Sequence, residues 1–411
     1  MSRIVLGVGG GIAAYKAASV LRLLVENGHD VTVVPTASAL KFVGEATWSA
    51  LSRNRVASDV WTDAQDVPHV ALGRAAELVV VAPATADLIG KCANGLADDL
   101  LTNTLLTARC PVLVVPAMHT EMWEHAAVAD NVVRLRRRGV TVLEPAIGRL
   151  TGTDTGKGRL PEPAEIAQLA ELLLHRPGAL PGDLVGRRVV ITAGGTREPL
   201  DPVRFLGNHS SGLQGYALAT VAAARGADVA LVAANTTLPA PAGSVVHEVR
   251  TTAQMREVTH KLAAGADVVV MSAAVADFRP DDVAAHKIKK NGADEPAPVT
   301  LRRNPDILAE LVIDRGAATS PVIVGFAAET GDSDGDVLHH GRAKLARKGC
   351  DLLVVNAVGE GKAFGRPDNA AVVLGADGSA REVPLGPKSA LAAAVWDAVG
   401  AMLAARSPSL G

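Results

Sequence analysis

The chain has 411 residues, enough for two or three domains with separate hydrophobic cores. Its 48% hydrophobic and 20% charged residues are typical of a soluble globular protein. A formal net charge of −2 and 3% aromatic residues exclude a bulk attraction to nucleic acid or membrane and a base-stacking surface. Cys92, Cys110 and Cys350 are far apart and odd in number, which indicates reduced thiols. The apolar run Ile4–Leu6 meets a glycine at once, so we expect no signal peptide, no membrane span and a cytoplasmic location.

Strands and helices alternate in the first half of the chain. The β-branched runs Ile4–Val8, Val31–Val34, Leu78–Val81 and Val112–Val115 predict buried strands, and Ala13–Asn27 predicts a helix. This alternation predicts a parallel sheet with helices on both faces. Because ligands of such folds bind at the carboxyl ends of the strands, functional residues are expected just after each strand.

A glycine-rich turn, Gly9-Gly10-Gly11-Ile12-Ala13-Ala14, follows the first strand. Such a turn presents backbone N–H groups to a phosphate at a helix N-terminus. A dinucleotide site would also need an acidic residue at the end of the second strand, to hold the ribose. The chain has the hydroxyls of Thr36 and Ser38 there instead. This combination favours a mononucleotide such as FMN, and the alternative is a turn that serves only close packing.

Two further motifs follow the third and fourth strands: Ala82-Pro83-Ala84-Thr85-Ala86-Asp87 and Pro116-Ala117-Met118-His119-Thr120-Glu121-Met122-Trp123. They place small, polar and thioether groups at strand ends. His69, by residue type alone, is more typical of a surface or core position than of a catalyst. Together with the glycine turn, these motifs resemble the flavin-dependent cysteine decarboxylases over roughly the first 175 residues.

The resemblance implies an FMN-dependent decarboxylase. A flavin that oxidises the cysteinyl thiol to a thioaldehyde lets the charge left by CO₂ delocalise onto sulfur. By the same resemblance, His69 and His119 are catalytic, and a flap with Asp154, Gly156 and Arg159 covers the substrate. The implied FMN contacts are Gly9, Gly10, Gly11, Thr36, Ser38, Ala84, Thr85 and Asp98.

Two positions depart from that family. His119 stands where the family has an asparagine, and Gly152 stands where the flap has an acidic cysteine. The proton that returns with the hydride must then come from Thr151, Thr153, His119 or water. The alternative is a flavin-binding half that is regulatory or has lost its decarboxylase activity.

A Pro- and Gly-rich stretch separates the two halves. Residues 176–186 follow the predicted helix Glu165–Leu174 and are expected to form a linker. The predicted domains are therefore residues 1–175 and 187–411.

The second half repeats the strand and helix alternation. Strands are predicted at Val189–Thr192, Val229–Val232, Val268–Met271, Val322–Gly325 and Leu352–Val355. The expected fold class is therefore α/β, with two Rossmann-like parallel-sheet domains. The second strand of this half again ends without a carboxylate, which argues against an NAD-dependent dehydrogenase.

An acidic residue and a lysine cluster follow the third strand of this half. Asp277 at a strand end suits Mg²⁺, which keeps substrate phosphates among its ligands, and Lys287–Lys290 suit a triphosphate. Each has an ordinary alternative, a helix cap or a solvated basic turn. Together with the runs Thr192–Phe205, Asn208–Gly212, Asn304–Leu308 and Gly325–Thr330, they resemble the phosphopantothenate–cysteine ligases over about 186–400.

That resemblance implies ligation of cysteine to 4′-phosphopantothenate through an acyl-cytidylate, with CTP as co-substrate and Mg²⁺ or Mn²⁺ at Asp277. The product would be the substrate of the first half. Asn208 and Lys287 are the implied catalytic residues, and Leu213-Gln214 stands where the family often has a lysine. The families also imply trimers through the first half and dimers through the second, which a dodecamer satisfies. The implied CTP contacts are Met271, Ser272, Ala273, Asp277, Lys287, Pro305, Asp306, Ile307, Leu308, Phe326, Lys344 and Lys348.

Overall fold

The computed structural model describes residues 1–57, 67–150, 153–288, 298–329, 337–357 and 368–406. Thr151, Gly152, Lys289, Lys290 and Thr330 therefore lie outside the described residues. The chain divides into two compact units. Unit 1 comprises Met1–Asp183, Ala223–Gly226 and Pro241–Gly243, and unit 2 comprises Leu184–Ala222, Ala227–Ala240 and Ser244–Gly411.

Unit 1 contains a parallel sheet, a hairpin and helices between the strands. Its strands are β1 (Arg3–Val8), β2 (Asp30–Pro35), β3 (Leu78–Ala84), β4 (Val112–Pro116), β5 (Thr141–Val142), β6 (Ala146–Arg149) and β7 (Thr155–Arg159). Its helices are α1 (Ala14–Glu26), α2 (Glu45–Ser52), α3 (Pro68–Ala75), α4 (Ala86–Asn94), α5 (Leu100–Thr107), α6 (Thr120–Trp123), α7 (Ala126–Arg137) and α8 (Pro163–His175), with a short 3₁₀ turn at Ala39–Lys41.

The five-stranded sheet of unit 1 has the order β2-β1-β3-β4-β5, and all of its strand pairs are parallel. Every residue of β3 is buried, as expected for a central strand covered on both faces. On α1 the buried residues Ala14, Ala17, Val20, Leu21 and Leu24 form one stripe at helical spacing, which packs into the core. The predicted parallel sheet is confirmed.

Unit 2 contains the larger sheet. Its strands are β8 (Arg188–Gly194), β9 (Arg197–Pro199), β10 (Phe205–Gly207), β11 (Asp228–Ala234), β12 (Ser244–Val249), β13 (Val268–Met271), β14 (Phe278–Pro280), β15 (Leu301–Arg303), β16 (Val322–Glu329), β17 (Leu352–Ala357), β18 (Asp368–Gly375) and β19 (Ala380–Pro387). Its helices are α9 (Leu213–Ala224), α10 (Thr252–Ala263), α11 (Ile307–Arg315), α12 (Val337–Lys348) and α13 (Lys388–Arg406).

The eight-stranded sheet has the order β12-β11-β8-β13-β16-β17-β18-β19. The first six strands in this order, from β12 through β11, β8, β13 and β16 to β17, run parallel. Strand β18 pairs antiparallel with β17 and with β19. The sequence prediction did not include this antiparallel extension. It also lacked the two small sheets, β9–β10 and β14–β15, which project from the turns after β8 and β13. The predicted α/β class with two parallel sheets holds.

Helix α13 is the one helix in the described part of the chain that is long and apolar enough to cross a membrane. Half of its most apolar stretch is buried inside the protein. Leu391, Val395 and Trp396 are fully buried, and the Trp396 Nε1–H donates to the Leu218 carbonyl at 2.9 Å. These contacts are those of a core helix.

Candidate functional site

Unit 1 has a cavity of about 910 Å³ at the carboxyl ends of its strands. The turns after β1, β2, β3 and β4 all contribute to its lining, as Rossmann-like topology requires. Of the residues predicted from the sequence, the structure places eight on its wall: Gly10, Gly11, Thr36, Ser38, Thr85, Asp98, His119 and Arg159. Gly9, Ala84, His69, Asp154 and Gly156 are not among the lining residues.

The glycine turn after β1 is closely packed against two neighbouring loops. A Cβ on Gly10 would lie 2.3 Å from Ser38 Cβ, and a Cβ on Gly9 would lie 2.4 Å from the Pro83 carbonyl oxygen. The N-cap of α1, Ala13, offers no side chain to the first N–H groups of the helix. The Gly9 N–H donates to the Pro83 carbonyl at 3.0 Å, and the Gly11 N–H donates to the Gly9 carbonyl at 3.1 Å. Of the three glycines in the described turn, Gly10 therefore has the N–H without a backbone acceptor, and it lines the cavity together with Thr36 and Ser38. This donor set fits a phosphate group.

An ion-pair cluster lies on another wall of the same cavity. Lys91 Nζ is 3.0 Å from Asp98 Oδ2 and 3.2 Å from Asp87 Oδ2, and all three residues line the cavity. The hydrogen bond from Lys91 lowers the pKa of Asp98, and the same bond raises the pKa of Lys91. Thr85 caps α4 by accepting a hydrogen bond from the Leu88 N–H at 3.3 Å. Asp98 is therefore ionised at neutral pH and can accept hydrogen bonds from a ligand.

The predicted flap is the β6–β7 hairpin. Its Gly158 carbonyl accepts a hydrogen bond from the Met118 N–H at 2.9 Å, and a Cβ on Gly158 would lie 2.1 Å from the Met118 carbonyl oxygen. A Cβ on Gly156 would lie 2.2 Å from Thr120 Oγ1. These contacts hold the hairpin against the loop that carries His119. Arg159 pairs with Glu162 and lines the cavity.

His69 lies on α3, away from the lining of this cavity. Its backbone carbonyl accepts a hydrogen bond from Thr107 Oγ1 at 2.7 Å. Its Nδ1 atom is buried and has no hydrogen-bond partner within the described residues. The structure of one chain therefore does not bring His69 and His119 together at the cavity.

Unit 2 has a cavity of about 1140 Å³, again at the carboxyl ends of parallel strands. It is lined by Asn208, the loops after β13 and β15, and residues of β16 and α12. Of the predicted residues, those that line it are Asn208, Met271, Ser272, Ala273, Asp277, Pro305, Asp306, Ile307, Leu308, Phe326, Lys344 and Lys348. Lys287 is exposed and is not among the lining residues.

A buried polar network supports the loop that carries Asp277. Asn304 Nδ2 donates to the Ala276 carbonyl at 2.8 Å and to Thr252 Oγ1 at 3.2 Å, and the Asn304 N–H donates to the Asp277 carbonyl at 2.8 Å. Glu198, 3% exposed, accepts from the N–H and the hydroxyl of Thr252, both at 2.8 Å. Such a satisfied network fixes the Asp277 backbone in one position.

Two predicted residues make contacts that orient the rest of the wall. Asn208 Nδ2 donates to the Val275 carbonyl at 3.0 Å, which links the Ser-Ser-Gly loop to the Asp277 loop. Lys348 pairs with Asp306, which also caps α11 through the Ala309 N–H at 3.1 Å. Burial opposes ionisation of Asp306, but Lys348 and the helix N–H outweigh it, and the pKa of Asp306 is lowered. This wall therefore carries an ionised carboxylate at the N-cap of α11, paired with a lysine of α12.

The segment that bears Lys287 is held by a buried carboxylate outside the cavity. Asp201 accepts hydrogen bonds from Arg204 Nε at 2.9 Å and from the Ile288 N–H at 3.2 Å. Arg204 Nη2 donates to the Ile288 carbonyl at 3.0 Å. The Arg204 guanidinium holds the pKa of Asp201 well below its usual range. Asp201 and Arg204 thus fix the backbone next to Lys287, whose side chain extends into solvent.

Several lining residues were not identified from the sequence. In unit 2 they include Gln214, Asn356, Asn369 and Lys388, which come from α9, β17, β18 and α13. The Asn356 Oδ1 atom is buried without a hydrogen-bond partner among the described residues. Only Asn356, at the end of a predicted strand, could have been found from its position. In unit 1 the missed residues include Tyr15, Lys16 and Lys91.

No group of three or more His, Cys, Asp or Glu side chains that could hold a metal ion occurs in the described ranges. Asp277 is exposed at the cavity wall and is available as a carboxylate ligand. This arrangement fits a Mg²⁺ ion that takes most of its ligands from phosphates and water.

The fold and the two cavities define a two-domain α/β protein of Rossmann-like topology, with a cavity at the carboxyl ends of the parallel strands in each unit. The sequence profile of the Flavoprotein family matches residues 1–174. The profile of the DNA/pantothenate metabolism flavoprotein C-terminal domain matches residues 184–402. The first match supports the predicted FMN.

Similar proteins carry both halves in one chain. The Coenzyme A biosynthesis bifunctional protein CoaBC of Mycolicibacterium smegmatis is 60% identical over 405 residues, 98% of each chain. Its namesake in Bacillus subtilis is 43% identical over 386 residues, 93% of this chain and 92% of that one. A solved C-terminal domain of CoaBC is 33% identical, covers 55% of this chain and 99% of that one, and has a TM-score of 0.45.

The chain therefore belongs to the CoaBC family of bifunctional coenzyme A biosynthesis proteins. It is an enzyme with a decarboxylase activity in its flavoprotein half and a ligase activity in its C-terminal half. The predicted function is confirmed, and the alternatives of a regulatory flavin half and of an NAD-dependent dehydrogenase are not favoured.

Proposed function

We propose that unit 2 ligates cysteine to 4′-phosphopantothenate with CTP, and that unit 1 decarboxylates the resulting 4′-phosphopantothenoylcysteine with FMN. The observation that carries the proposal for unit 2 is the convergence on one cavity of Asn208 and of every predicted CTP contact except Lys287, although these residues come from five separate sequence segments. For unit 1 it is the glycine cradle beside Thr36 and Ser38.

In the ligase reaction, the carboxylate of 4′-phosphopantothenate attacks the α-phosphate of CTP and releases pyrophosphate. The cysteine amine then attacks the acyl carbon of the acyl-cytidylate and releases CMP. Positioning and charge neutralisation dominate such a phosphoryl-transfer step. Met271, Ser272 and Ala273, with Pro305–Leu308 and Phe326, hold the nucleoside, and Lys344 and Lys348 neutralise phosphate charge.

Asp277 and Asn208 hold the reacting groups. The Asp277 carboxylate binds Mg²⁺ or Mn²⁺, which supplies charge neutralisation to the phosphates. Asn208 is tied to the Asp277 loop through Val275, so its amide has a fixed orientation for the acyl-cytidylate. Lys287 contacts CTP. Because Asp201 and Arg204 hold the backbone next to Lys287 outside the cavity of one chain, we propose that a second copy completes this part of the site.

When bound, FMN would supply the two-electron oxidation of the cysteinyl carbon that carries the thiol, which lets CO₂ leave, and the electrons that reduce the product afterwards. The Gly10 N–H and the hydroxyls of Thr36 and Ser38 would hold its phosphate, and Gly9, Gly11, Ala84, Thr85 and Asp98 complete the set of predicted FMN contacts. Arg159, Asp154 and Gly156 form the flap over the substrate. His69 acts as the base or charge partner, and His119 binds the substrate carboxylate in place of an asparagine.

Exposed apolar side chains support the assembly implied by the families, trimers through unit 1 and dimers through unit 2 in a dodecamer. In unit 1, Ile12 is 70% and Tyr15 60% exposed beside the cavity. In unit 2, Phe205 on β10 is 52% and Phe278 on β14 42% exposed. Clustered exposed apolar groups mark protein interfaces.

We further propose a cytoplasmic location and domain boundaries at 1–175 and 187–411, joined by the linker 176–186.

The test supplies 4′-phosphopantothenate, cysteine, CTP and Mg²⁺ to the purified protein and follows CMP and CO₂ separately. We expect both products and the visible absorption of a flavin. His69→Asn should stop CO₂ release and leave CMP formation intact, because the two reactions use different units. CMP without CO₂ in the wild type would show a ligase with an inactive flavin half. Loss of both products in His69→Asn would contradict the assignment of one reaction to each unit.

A further inference from the structure

Lys388 is a buried cation on the wall of the unit 2 cavity. It is the first residue of α13 and is 6% exposed. Its Nζ donates one hydrogen bond, to the Asp368 carbonyl at 3.1 Å. It has no ion pair with a carboxylate among the described residues, whereas Lys348 on the same cavity pairs with Asp306. Burial lowers the pKa of the Lys388 ammonium, and the Asp368 charge opposes this effect.

Two amide side chains lie beside this lysine and line the same cavity. Gln214 Nε2 donates to the Lys388 carbonyl at 3.2 Å, and Asn369 Nδ2 donates to Gln214 Oε1 at 3.2 Å. Each amide nitrogen has a second N–H that is used by no residue in the described chain. The three residues thus combine a desolvated ammonium with further N–H donors. Phosphoryl oxygens are the ligand that such a donor set suits, since they accept several charge-assisted hydrogen bonds at once.

Keeping a lysine ammonium buried is costly unless an anion compensates its charge. The Ser210-Ser211-Gly212 loop lines the cavity together with the first residues of α9, Leu213 and Gln214, and none of these five residues carries a charge. The wall near α9 therefore carries no cation of its own in that loop. Lys388 reaches the same wall from α13, nearly 180 residues later in the chain.

We propose that Lys388, with Gln214 and Asn369, forms a subsite for a phosphoryl group of a ligase substrate, either the triphosphate of CTP or the phosphate of 4′-phosphopantothenate. This inference rests on the proposed function of the unit 2 cavity. Lys388 supplies the positive charge and the two amides supply directional hydrogen bonds. The subsite assigns a ligand-binding role to the start of α13.

The experiment compares Lys388→Met and Lys388→Arg in the full-length protein. Lys261→Met is the matched control, because Lys261 is an exposed lysine on α10 outside the cavity. Initial rates of CMP formation are measured with each of the three substrates varied in turn. Loss of a charge-assisted contact predicts a KM about 10- to 100-fold higher for one phosphate-bearing substrate in Lys388→Met. Whichever KM rises identifies the source of the phosphoryl group.

The other readouts separate binding from a structural role. We expect the KM for cysteine to change less than about twofold, Lys388→Arg to restore most of the affinity, and CO₂ release from supplied 4′-phosphopantothenoylcysteine to stay at the wild-type rate. A lower melting temperature with unchanged KM values would show that Lys388 only stabilises the contact between α13 and β18, and it would overturn the proposal. Unchanged KM and unchanged melting would do the same.

A binding arm does not depend on turnover. Pyrophosphate should raise the melting temperature of the wild type and of Lys261→Met, but not that of Lys388→Met. If Lys388→Met does not fold, Gln214→Leu serves in its place, since it removes both amide N–H donors of Gln214 and the oxygen that accepts from Asn369, with a side chain of similar size. An equal pyrophosphate shift in all variants would refute the subsite. A wild type that leaves CTP uncleaved but shows the Lys388-dependent shift would refute the proposed co-substrate and retain the subsite.

Discussion

The cradle of unit 1 makes a sharp prediction about Gly10. In Gly10→Ala the new Cβ would lie 2.3 Å from Ser38 Cβ and 3.0 Å from the Ser38 backbone carbon. Carbon atoms in contact normally lie about 3.5–4.0 Å apart. The overlap involves the base of a side chain and the main chain, so no rotamer change can relieve it. The loop after β2 must move away from the turn, and with it the hydroxyls of Thr36 and Ser38.

The cost of such overpacking is typically about 1–3 kcal/mol. If this cost falls on the FMN-bound conformation, flavin affinity decreases by roughly 5- to 150-fold, at about 1.4 kcal/mol for each factor of ten. Ligase activity should stay unchanged, because the substitution lies in unit 1. The cradle would thus be disrupted without loss of the second reaction.

The assay strips the flavin from the wild type and the variant and follows reconstitution with FMN by the quenching of its fluorescence. Gly44→Ala is the matched control, because a Cβ on Gly44 meets no atom within 4 Å. We expect Gly44→Ala to bind FMN as the wild type does. Wild-type FMN affinity and melting temperature in Gly10→Ala would refute the packing argument, and weak binding in both variants would show that the assay reports a general effect.

Three further outcomes follow from individual contacts. Asn304→Ala removes the donors to Ala276 and Thr252, so the ligase kcat should fall at least about tenfold while CO₂ release from supplied substrate is unchanged. Burial raises the pKa of Glu165 to about 7, so folded protein binds more protons than unfolded protein between about pH 4.5 and 7. The free energy of unfolding from urea titrations should therefore decrease as pH rises through this window, and less so in Glu165→Gln. Burial also raises the pKa of Cys350 to about 11, so iodoacetamide should label it at pH 7.5 only after unfolding, as read by mass spectrometry.

Each of these outcomes has a clear contradiction. Equal loss of both activities in Asn304→Ala would indicate general destabilisation instead of misplacement of Asp277. The same pH dependence in wild type and Glu165→Gln would remove Glu165 as its source. Rapid labelling of Cys350 in the native protein would show that β17 and its surroundings open readily.

The strands that carry the sites could be predicted because their residues are buried on both faces. Runs such as those of β3 and β13 are continuously apolar and β-branched, and each ends at a motif. Strands β18 and β19 were missed, although β18 alternates buried and exposed residues over part of its length and Asp377-Gly378 lies in the turn between them. An alternating edge pair carries a weaker hydrophobic signal than a central strand.

Most of each cavity wall was also predictable, because residues after parallel strands meet at one sheet edge whatever their distance along the chain. The exceptions are informative. Asn369 and Lys388 belong to no motif, Gln214 was noted only as a departure from one, and packing brings the three to one wall. His69 and Lys287 were predicted as catalytic but lie outside the cavities of a single chain. A resemblance assigns a role to a residue type in a motif and does not say which surface that residue faces.

The amino-acid sequence by itself determined the two α/β halves, the glycine turns and the order of the motifs, since these follow from local hydrophobic pattern and backbone freedom. The family could also be identified from the sequence, because its motifs occur in the expected order along the chain. Only the tertiary structure decided that a buried lysine from the last helix lines the unit 2 cavity, and that a hydrogen-bond network that includes the buried Glu198 supports the Asp277 loop. Such placements depend on contacts between residues far apart in the chain. No short stretch of residues encodes a long-range contact, because its energy exists only once the core has packed.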